Sequence, residues 1–439
     1  MNNTISEIID FVNENDVKFI RLGFCDPFGI QKNISILPDA LQSAYEHGVS
    51  FDAYAIKGFS DVTKSDLLLF ADLNTLMALP WRPGPGRVVR FYCDIKNPDG
   101  SVFLHDSRHL LKRIVARAEK MGYTCKVGAE CEFYLFTTDE NGNPTNIPLD
   151  RGGYLDISPL DKGENMRREI CLSLEEMGLK PKASHHEQGP GQNEIDFQFS
   201  DALQCADHLL TLKSVIKAIA SRNGLFASFM PKPLLGEAGS GMHVNISLER
   251  SGRNIFAGID KAQSATAESF IAGILEKTPE MTLFLNPIAN SYERLGEHET
   301  PRSVSWSAQN RSQLIRIPTV TDEKARMELR SPDPSLNPYL AFALIIAAGL
   351  DGIERALKLP PAVNADLHGA EDAITRSLAQ LPGSLDEAIR CAKGSEFVKG
   401  VIGGAFLEKY IAIKEQEAAA FANCDNHELF FKNQYFDYI

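Results

Sequence analysis

Four short segments alternate polar and apolar residues in the pattern that predicts β-strands with one polar face. They are GAECEFYLF (128–136), NEIDF (193–197), GMHVNISL (241–248) and RMELR (326–330). Successive side chains of a strand point to opposite sides, so each segment directs its polar residues to one face. The residues on these polar faces are Glu130, Glu132, Glu194, His243, Asn245, Ser247, Glu328 and Arg330. Crowded carboxylates do not all stay ionised without cations. The pattern therefore predicts a multi-metal site in a cavity lined by strands.

The first hundred residues predict a small unit that is rich in β-structure. The predicted elements are a helix over 4–15, strands over 18–24, 32–36, 67–71 and 88–95, and turns at DPFG (26–29) and NPDG (97–100). NPDG favours a turn because Asn, Pro, Asp and Gly each suit turn conformations, and it separates the strand-like FYCDI and SVFL. PWRPGPG (80–86) contains too much Pro and Gly for a helix or a central strand. We expect this unit to span residues 1–103.

The rest of the chain, residues 104–439, predicts one larger α/β unit. Asp106 is placed to cap a helix with an apolar stripe, and Gly122 is placed to end it. A strand, helix and strand follow over 193–199, 201–222 and 225–230, and the chain is mostly helical from Pro338 onward. Together the two units predict an α+β protein.

Composition narrows the possible functions. The net charge of −13 argues against a nucleic-acid surface, which needs clustered Lys and Arg. The longest apolar stretch, Tyr339 to Leu350, is shorter than the roughly 20 residues that span a bilayer. Eight cysteines without a CxxC pair favour reduced thiols and a cytoplasmic location. The N-terminal segment lacks the pattern of a signal peptide.

Other segments add candidate chemistry, although each has an ordinary structural alternative. SHHEQGPGQNE (184–194) places Glu187 and Glu194 at the two ends of a Gly/Pro-rich turn, which is otherwise a plain hairpin loop. His243 follows the glycine-rich GEAGSG, which allows backbone to approach a ligand, but a lone histidine is more often a core residue. Five arginines lie within 37 residues, at positions 294, 311, 316, 326 and 330. Singly they suit surface ion pairs, and together they suggest a clamp for phosphate and carboxylate groups.

In order and spacing, these segments resemble type I glutamine synthetase over nearly the whole chain. The segments that carry the resemblance are FCDPFG (24–29), FDAYAIKGF (51–59), SDLLLFAD (65–72), GAECEFYLF (128–136), SHHEQGPGQNE (184–194), KPLLGEAGSGMHVNIS (232–247), NPIANSYERL (286–295), NRSQLIRIP (310–318) and ARMELRSPDPSLNPY (325–339). Any one of them has little specificity, but their joint occurrence is highly specific.

The resemblance implies a small N-terminal β-grasp domain and a large C-terminal α/β catalytic domain with a strand-lined funnel. It implies two or more Mg²⁺ or Mn²⁺ ions per active site and ATP as co-substrate. One ion would lie among Glu132, Glu187 and Glu194, and another among Glu130, His243 and Glu328. Oxygen ligands with one imidazole suit these ions. Members of this family form glutamine from glutamate, ammonium and ATP through γ-glutamyl phosphate.

The resemblance also implies roles for further residues. The implied contacts of ATP are Phe199, Asn245, Ser247, Arg311, Arg316 and Arg326. The implied contacts of glutamate are Glu132, Gly239, Arg294 for the α-carboxylate and Arg330 for the γ-carboxylate. Ammonium would be held and deprotonated by Asp52, Glu299 and Tyr154, with Asp66 as a secondary candidate. In the family the N-terminal aspartate reaches the neighbouring subunit, which implies a homo-oligomer, a dodecamer of two stacked hexamers.

The chain departs from the family pattern near the ammonium pocket. Tyr54 and Ala55 stand where two serines are usual, and Ala238 stands where an asparagine is expected. The flap reads GEHETP (296–301) and is one residue short, so Glu297 competes with Glu299 for the catalytic position. A γ-glutamyl ligase acting on a polyamine or another amine therefore remains an alternative. A catalytically inactive relative is disfavoured because every metal-ligand position is filled.

Overall fold

The structure of the protein, a computed structural model, describes residues 3–80, 86–257, 265–319, 324–367 and 372–439. Most of PWRPGPG (81–85) lies outside the described residues. In chain order the first unit contains α1 (Ile5–Glu14), β1 (Val17–Cys25), β2 (Gln31–Ile36), α2 (Leu41–His47), β3 (Val49–Asp52), β4 (Asp66–Ala71), β5 (Met77–Ala78) and β6 (Arg87–Lys96). The predicted helix and the strands predicted over 18–24, 32–36, 67–71 and 88–95 all form, with shifts of a few residues at their ends.

The strands of the first unit form one mixed sheet in the order β2–β1–β6–β4–β3, with β5 beside β6. β1 runs parallel to β6, and β3 runs antiparallel to β4, pairing Asp52 with Asp66. A core that includes Ile20, Leu69 and Phe91 lies on one side of this sheet. Asp52 ends β3 at the sheet edge and is exposed to solvent.

The connection between the two units is partly as predicted. The NPDG turn forms. The Gly100 N–H donates to the Asn97 carbonyl at 2.9 Å, and Gly100 has a φ angle of 82°. Asp106 caps the next helix by accepting from the Arg108 N–H at 3.0 Å. The predicted strand SVFL is wrong, because only an isolated bridge joins Val102 to Lys96. The chain must leave the sheet here to bring Asp106 to the start of the helix.

The second unit contains the longer elements. In chain order these are α3 (Ser107–Lys120), β7 (Thr124–Thr138), β8 (Pro144–Pro148), α4 (Glu164–Glu176), β9 (Pro181–His186), β10 (Gln192–Phe197), β11 (Ser200–Asp201), α5 (Ala202–Arg222), β12 (Leu225–Ser228), β13 (Met242–Arg250), β14 (Arg253–Asn254), α6 (Ala265–Leu285), β15 (Trp306–Ala308), β16 (Ile315–Ile317), β17 (Met327–Leu329), α7 (Pro338–Glu354), α8 (Asp372–Ser377), α9 (Leu385–Lys393), α10 (Glu396–Ile402), α11 (Gly404–Ala422) and α12 (His427–Phe431).

A long curved sheet organises the second unit. Its strands follow the order β15–β16–β17–β13–β7–β10–β9, with β8, β11 and β12 also on β7. The apolar face of β7, including Cys131 and Phe133, packs into a core that contains buried residues of α5, α6 and α7. Its polar face points the other way. Tyr339 to Leu350, the longest apolar stretch, is buried within α7. Among the described helices, none combines the length and apolar character needed to cross a membrane.

A buried charge network joins the two units. Arg108, on α3, contacts Asp72 and Asp94 of the first unit at 3.0 Å each and Asp207 of α5 at 2.9 Å. Arg90 on β6 donates to the hydroxyl of Thr211 at 2.8 Å. Breaking one partner of such a buried network leaves an uncompensated charge, which is strongly destabilising. The network therefore fixes the first unit against the second.

Candidate active site

The polar faces of β7, β10 and β13 converge on one cavity of about 550 Å³, together with Arg326 and Arg330 at the two ends of β17. The predicted metal ligand Glu328, on β17, is not among the described residues that line it. The strand register determines which side chains meet, because His243 lies opposite Glu130 and Glu194 lies opposite Glu132. The predicted site residues that line this cavity are Glu130, Glu132, Tyr154, Glu187, Glu194, Gly239, His243, Arg294, Glu299, Arg311, Arg316, Arg326 and Arg330. The fold thus brings together residues that are as far as 200 positions apart in the sequence.

Glu130, His243 and Glu328 form the first of two groups suited to a cation. One ligand atom from each lies within 4.8 Å of the others. The Nδ1 atom of His243 lies 3.5 Å from Glu130 Oε2 and 3.6 Å from Glu328 Oε1. These are the three residues that the resemblance assigns to one ion.

The second group surrounds Glu194. Glu132, Glu194 and His243 converge within 4.8 Å, and so do His185, Glu187 and Glu194. The predicted trio is Glu132, Glu187 and Glu194. Glu194 belongs to both of these clusters, whereas Glu132 and Glu187 each belong to only one of them. His185 was not predicted, and its Nε2 atom lies 3.6 Å from Glu187 and 3.7 Å from Glu194.

Glu132 is held rigidly between the two groups. Its Oε2 atom accepts from Gln192 Nε2 and from the backbone N–H of Gly241, both at 2.9 Å. Its Oε1 atom faces His243 Nε2 at 4.0 Å. The two donors lie on β10 and just before β13, and they fix one oxygen of Glu132. The other oxygen therefore stays directed at the cavity.

The pKa values record the crowding of these carboxylates. Burial, and then the charges of neighbouring carboxylates, raise the pKa of Glu187 to about 8 and that of Glu194 to about 11. Burial also opposes ionisation of Glu130, but hydrogen bonds from His243 and Asn245 outweigh it and lower the pKa of Glu130 to about 2. Carboxyl groups whose ionisation is opposed by burial and by neighbouring acids are typical of a site built to hold cations, because a bound divalent ion favours the ionised form.

The donor set fits divalent metal ions. It offers carboxylate oxygens and imidazole nitrogens without a thiolate, which suits Mg²⁺ and Mn²⁺. One carboxylate oxygen of Asp196, beside these groups, is buried without a hydrogen-bond partner among the described residues. The chemistry of the residues thus agrees with the predicted ions.

Two arginines contact the buried Glu328. Arg316 Nη1 lies 2.7 Å from Glu328 Oε2, and Arg330 Nη1 lies 2.7 Å from Glu328 Oε1. Burial would raise the pKa of Glu328, but Arg330 and His243 hold it below the ordinary value. The same guanidinium groups line the cavity, so they are placed to meet an anionic ligand there.

Arg294 reaches the cavity because two glycines leave room for it. Its Nη1 atom donates to the carbonyl of Ser331 at 2.8 Å and to that of Pro332 at 3.2 Å. A Cβ atom at Gly239 would lie 2.8 Å from Arg294 Cγ, and one at Gly241 would lie 2.5 Å from Arg294 Nη2. The glycine-rich approach that the sequence indicated thus admits a buried arginine.

A second cavity, of about 320 Å³, adjoins the first. Phe199, Asn245 and Ser247, predicted to contact ATP, all line it, and Arg326 lines both cavities. Asn245 joins the two regions, because it donates to Glu130 Oε1 at 3.0 Å and accepts from Arg326 Nε at 2.7 Å. The second cavity is thus lined by an aromatic side chain, that of Phe199, and by Arg326, which it shares with the first cavity.

The flap places Glu299 rather than Glu297 at the first cavity. Glu299 lines it, whereas Glu297 is not among the described lining residues. The Nη2 atom of Arg330 lies 3.7 Å from Glu299 Oε2. Tyr154 lies at the mouth, with its ring centroid 5.6 Å from that of His185.

Asp52 is the predicted site residue that lies apart. It is exposed, belongs to the first unit, and is not among the described residues that line either cavity. Its Oδ1 atom accepts from the Tyr54 N–H at 2.9 Å. Asp66, its partner across the strand pair, is likewise not among those lining residues.

Sequence reasoning overlooked several residues at the site. Asp196 lines both cavities, and burial together with the charge of Glu130 raises its pKa to about 6. The alternation of NEIDF could have found it, because Asp196 lies two residues after Glu194 on the same face. Gln192 and Gln188 carry no comparable signal, since their roles depend on contacts with distant Glu132 and Glu299.

Comparison with known proteins places the chain in a family. The model of the glutamine synthetase β-grasp domain matches residues 16–98, and that of the glutamine synthetase catalytic domain matches residues 104–430. The chain is 46% identical over 419 residues to a glutamine synthetase of Clostridium saccharobutylicum, covering 94% of this chain and 95% of the relative. It is 46% identical to a glutamine synthetase of Methanosarcina mazei, covering 94% of each chain.

Solved structures give the same result for the fold. A chain described as a GmaS/ADP complex superposes with a TM-score of 0.87 at 30% identity, covering 99% of both chains. A chain described as GmaS without ligand gives a TM-score of 0.86 at the same identity and coverage. The predicted fold class, a β-grasp domain followed by a catalytic domain, is confirmed. With both family models matched, this chain belongs to the glutamine synthetase family.

Proposed function

We propose that this protein is a glutamine synthetase that joins ammonia to the γ-carboxylate of L-glutamate at the expense of ATP. The observation that carries the proposal is the convergence of two carboxylate-rich groups and several arginines on one cavity. In a chain 46% identical to proteins named glutamine synthetase, these are the groups that the reaction requires.

The two metal groups divide between Glu132, Glu187 and Glu194 on one side and Glu130, His243 and Glu328 on the other. Bound Mg²⁺ or Mn²⁺ would neutralise charge on the transferring phosphoryl group. His243 lies between the two groups and presents different ring nitrogens to them, Nδ1 to Glu130 and Glu328 and Nε2 to Glu132, which supports separate ions.

The arginines would bind the anionic parts of both substrates. We assign the ATP phosphates to Arg311, Arg316 and Arg326, with Phe199, Asn245 and Ser247 of the second cavity on the nucleoside side. We assign the glutamate α-carboxylate to Arg294 beside Gly239, and the γ-carboxylate to Arg330. That the related GmaS chain is described as an ADP complex supports a nucleotide site in this fold.

In the first step an oxygen of the glutamate γ-carboxylate attacks the γ-phosphorus of ATP, and ADP leaves. Ammonium then loses one proton to a carboxylate, for which we assign Glu299 with Asp52 and Tyr154. The ammonia nitrogen attacks the γ-carbonyl carbon, and phosphate leaves to give glutamine. Positioned carboxylates of this kind contribute roughly 10²–10⁴-fold to rate.

The position of Asp52 supports an oligomeric enzyme. It is exposed and outside both cavities of its own chain. Exposed apolar side chains also follow Tyr154 along the chain, for example Ile157 at 77% and Leu160 at 57% exposure. We propose that Asp52 completes the site of a neighbouring copy in a dodecamer of two stacked hexamers. The free state of all eight cysteines is consistent with a cytoplasmic location.

The test is product formation by the purified protein with ATP, glutamate, Mg²⁺ or Mn²⁺, and either ammonium or a panel of primary amines and polyamines. We expect glutamine from ammonium and no more than weak reaction with the panel. The 46% identity to a protein named glutamine synthetase disfavours the amine alternative. Preferential use of one amine would replace this proposal with that alternative.

A further inference from the structure

Gln188 contacts two carboxylates that belong to different parts of the proposed mechanism. Its backbone N–H donates to Glu187 Oε2 at 3.2 Å, and its side-chain Nε2 donates to Glu299 Oε1 at 3.4 Å. The other oxygen of Glu299 faces Arg330 at 3.7 Å. Hydrogen bonds of catalytic groups in ligand-free proteins are often long and tighten with substrate present. Glu299 is thus held from two sides, by the β9–β10 turn and by the residue after β17.

The side chain of Glu299 lies in an exposed turn and has little other described support. Gly296, Glu297, His298 and Glu299 are all exposed. Gly296 and His298 have φ angles of 87° and 48°, which mark a tight turn. The backbone bonds, from the Thr300 N–H to the Glu297 carbonyl at 2.9 Å and from the Glu297 N–H to the Arg294 carbonyl at 3.1 Å, fix the backbone of the turn but do not reach the side chain of Glu299. The contacts to Gln188 and Arg330 constrain that side chain.

Gln188 also separates the first cavity from an outer groove of about 820 Å³. It is the one described residue that lines both spaces. The groove also contacts Arg151, Asp156 and Glu237, and it opens to solvent. Removing the side chain of Gln188 would therefore release Glu299 and open a route for water at the same point.

We propose that Gln188 is a positioning residue that holds Glu299 over the cavity while γ-glutamyl phosphate waits for ammonia. This inference rests on the proposed function. Without the contact, the acyl phosphate would be consumed without ammonia. Its α-amino nitrogen would attack its own γ-carbonyl carbon, the bond to the phosphate oxygen would break, and 5-oxoproline, phosphate and a proton would result. Attack by water would instead return glutamate and phosphate.

The experiment compares wild type with Gln188→Met, Gln188→Ala and the control Arg151→Ala. Met keeps the volume of Gln but cannot donate a hydrogen bond, and Arg151 lines the outer groove without contact to Glu299. ADP, glutamine and 5-oxoproline are measured together, with the KM for ammonium and the affinity for Mn²⁺. We expect wild type and Arg151→Ala to form one glutamine per ADP.

For both Gln188 variants we expect fewer glutamines per ADP and a KM for ammonium raised about three- to tenfold, the range for losing one hydrogen bond. Mn²⁺ affinity should not change, because the backbone donor to Glu187 remains. One glutamine per ADP in Gln188→Met would show that only the volume of the side chain matters, and it would overturn the inference. Weaker Mn²⁺ binding in parallel would also overturn it, because the whole turn would then have moved. Absence of glutamine from wild type would reject the proposed function instead.

Discussion

Glu299 combines exposure with a defined position, which is what a group that exchanges protons with an incoming substrate needs. Its side chain is 50% exposed, while Arg330 beside it is only 2% exposed. The buried guanidinium fixes one end of the contact, and the flap supplies the other. Glu297, two residues earlier, lies in the same exposed turn but is not among the described residues of the cavity.

We expect Glu299→Ala to leave the fold and ATP binding intact and to lower glutamine formation by about 10² or more, because a positioned proton acceptor is lost. Glu297→Ala is the matched control, since it removes an equal side chain from the same turn. Steady-state kinetics with ammonium measures both. A severe defect in Glu297→Ala with near-normal Glu299→Ala would reverse the assignment.

A buried histidine, adjacent in sequence to His185 and Glu187, illustrates how single residues stabilise the site. His186 Nδ1 lies 2.7 Å from the carbonyl of Glu187, and its Nε2 lies 2.9 Å from Asp150 Oδ1. Both partners are acceptors, so both ring nitrogens donate and the ring is protonated. Burial opposes this, but the contacts with Asp150 and the Glu187 carbonyl prevail and raise the pKa of His186. Burial likewise opposes ionisation of Asp150, but hydrogen bonds from His186 and the Lys162 N–H prevail and lower its pKa to about 2.

The raised pKa gives a stability prediction with a defined sign. The contribution of His186 is complete below its unfolded pKa, about 6.5, and is lost as pH rises through the raised folded value. His186→Gln should therefore lower the free energy of unfolding by about 1.5–3 kcal/mol at pH 6, the range for a hydrogen bond to a charged group, and by less at pH 9. Denaturant titrations at both pH values measure it.

His185→Gln is the control, because burial lowers the pKa of His185 and the sign reverses. A protonated His185 opposes folding, so this substitution should cost less stability at pH 6 than at pH 9. An equal loss for His186→Gln at the two pH values would contradict a protonated His186.

At the scale of elements, the sequence predicted those whose pattern is local. The alternation in β7, β13 and β17 identified Glu130, His243 and Glu328 on polar faces, and the structure brings these three within 4.8 Å. α3 was predicted because a cap, an apolar stripe and a terminal glycine occur together. α6 was missed, because it is buried nearly all round and contains Pro279, so it has neither a clear stripe nor a clean helical composition.

Contacts that depend on packing between distant elements could not be predicted from the residues alone. Nothing in the local sequence indicates that Gln192 holds Glu132 or that Gln188 meets Glu299. The separation of Asp52 from its own cavity also follows from how the two units pack. The resemblance to a family supplied that expectation, whereas alternation and composition did not.

The strand geometry predicts that Glu130 and Glu132 serve different ions. Residues two apart on one strand are about 6.6–6.8 Å apart along the backbone, which is long beside the ligand distance of about 2.1 Å for one small ion. The two carboxylates also face different nitrogens of His243. Glu130→Gln and Glu132→Gln should each weaken one of two Mn²⁺ binding events. Calorimetric titration with Mn²⁺ distinguishes them. A density map with a single ion bound by both glutamates would contradict this.

At the scale of the whole molecule, the two units pack so that Asp52 lies outside the described lining of both cavities of its own chain. The network around Arg108 fixes the first unit, so Asp52 cannot readily move to the cavity of its own chain. A second copy that brings its own Asp52 to this cavity would complete the site. The proposed activity therefore depends on assembly.

Two inactive variants should restore activity when mixed. Asp52→Ala and Glu328→Ala subunits, dissociated and reassembled together, should form some interfaces with both residues intact. Random mixing of equal amounts should give about a quarter of sites with wild-type composition. Activity is compared with that of each parent treated in the same way. Fully assembled mixed oligomers no more active than the parents would show that each site forms within one chain.

The most direct measurement of the central claim follows oxygen from glutamate to phosphate. Glutamate labelled with ¹⁸O in the γ-carboxylate is incubated with the protein, ATP, ammonium and Mg²⁺, and glutamine and phosphate are analysed by mass spectrometry. If the carboxylate attacks ATP and phosphate later leaves the acyl carbon, each glutamine formed is accompanied by one phosphate that carries one ¹⁸O atom. Phosphate without ¹⁸O, released while ATP is consumed, would contradict the account.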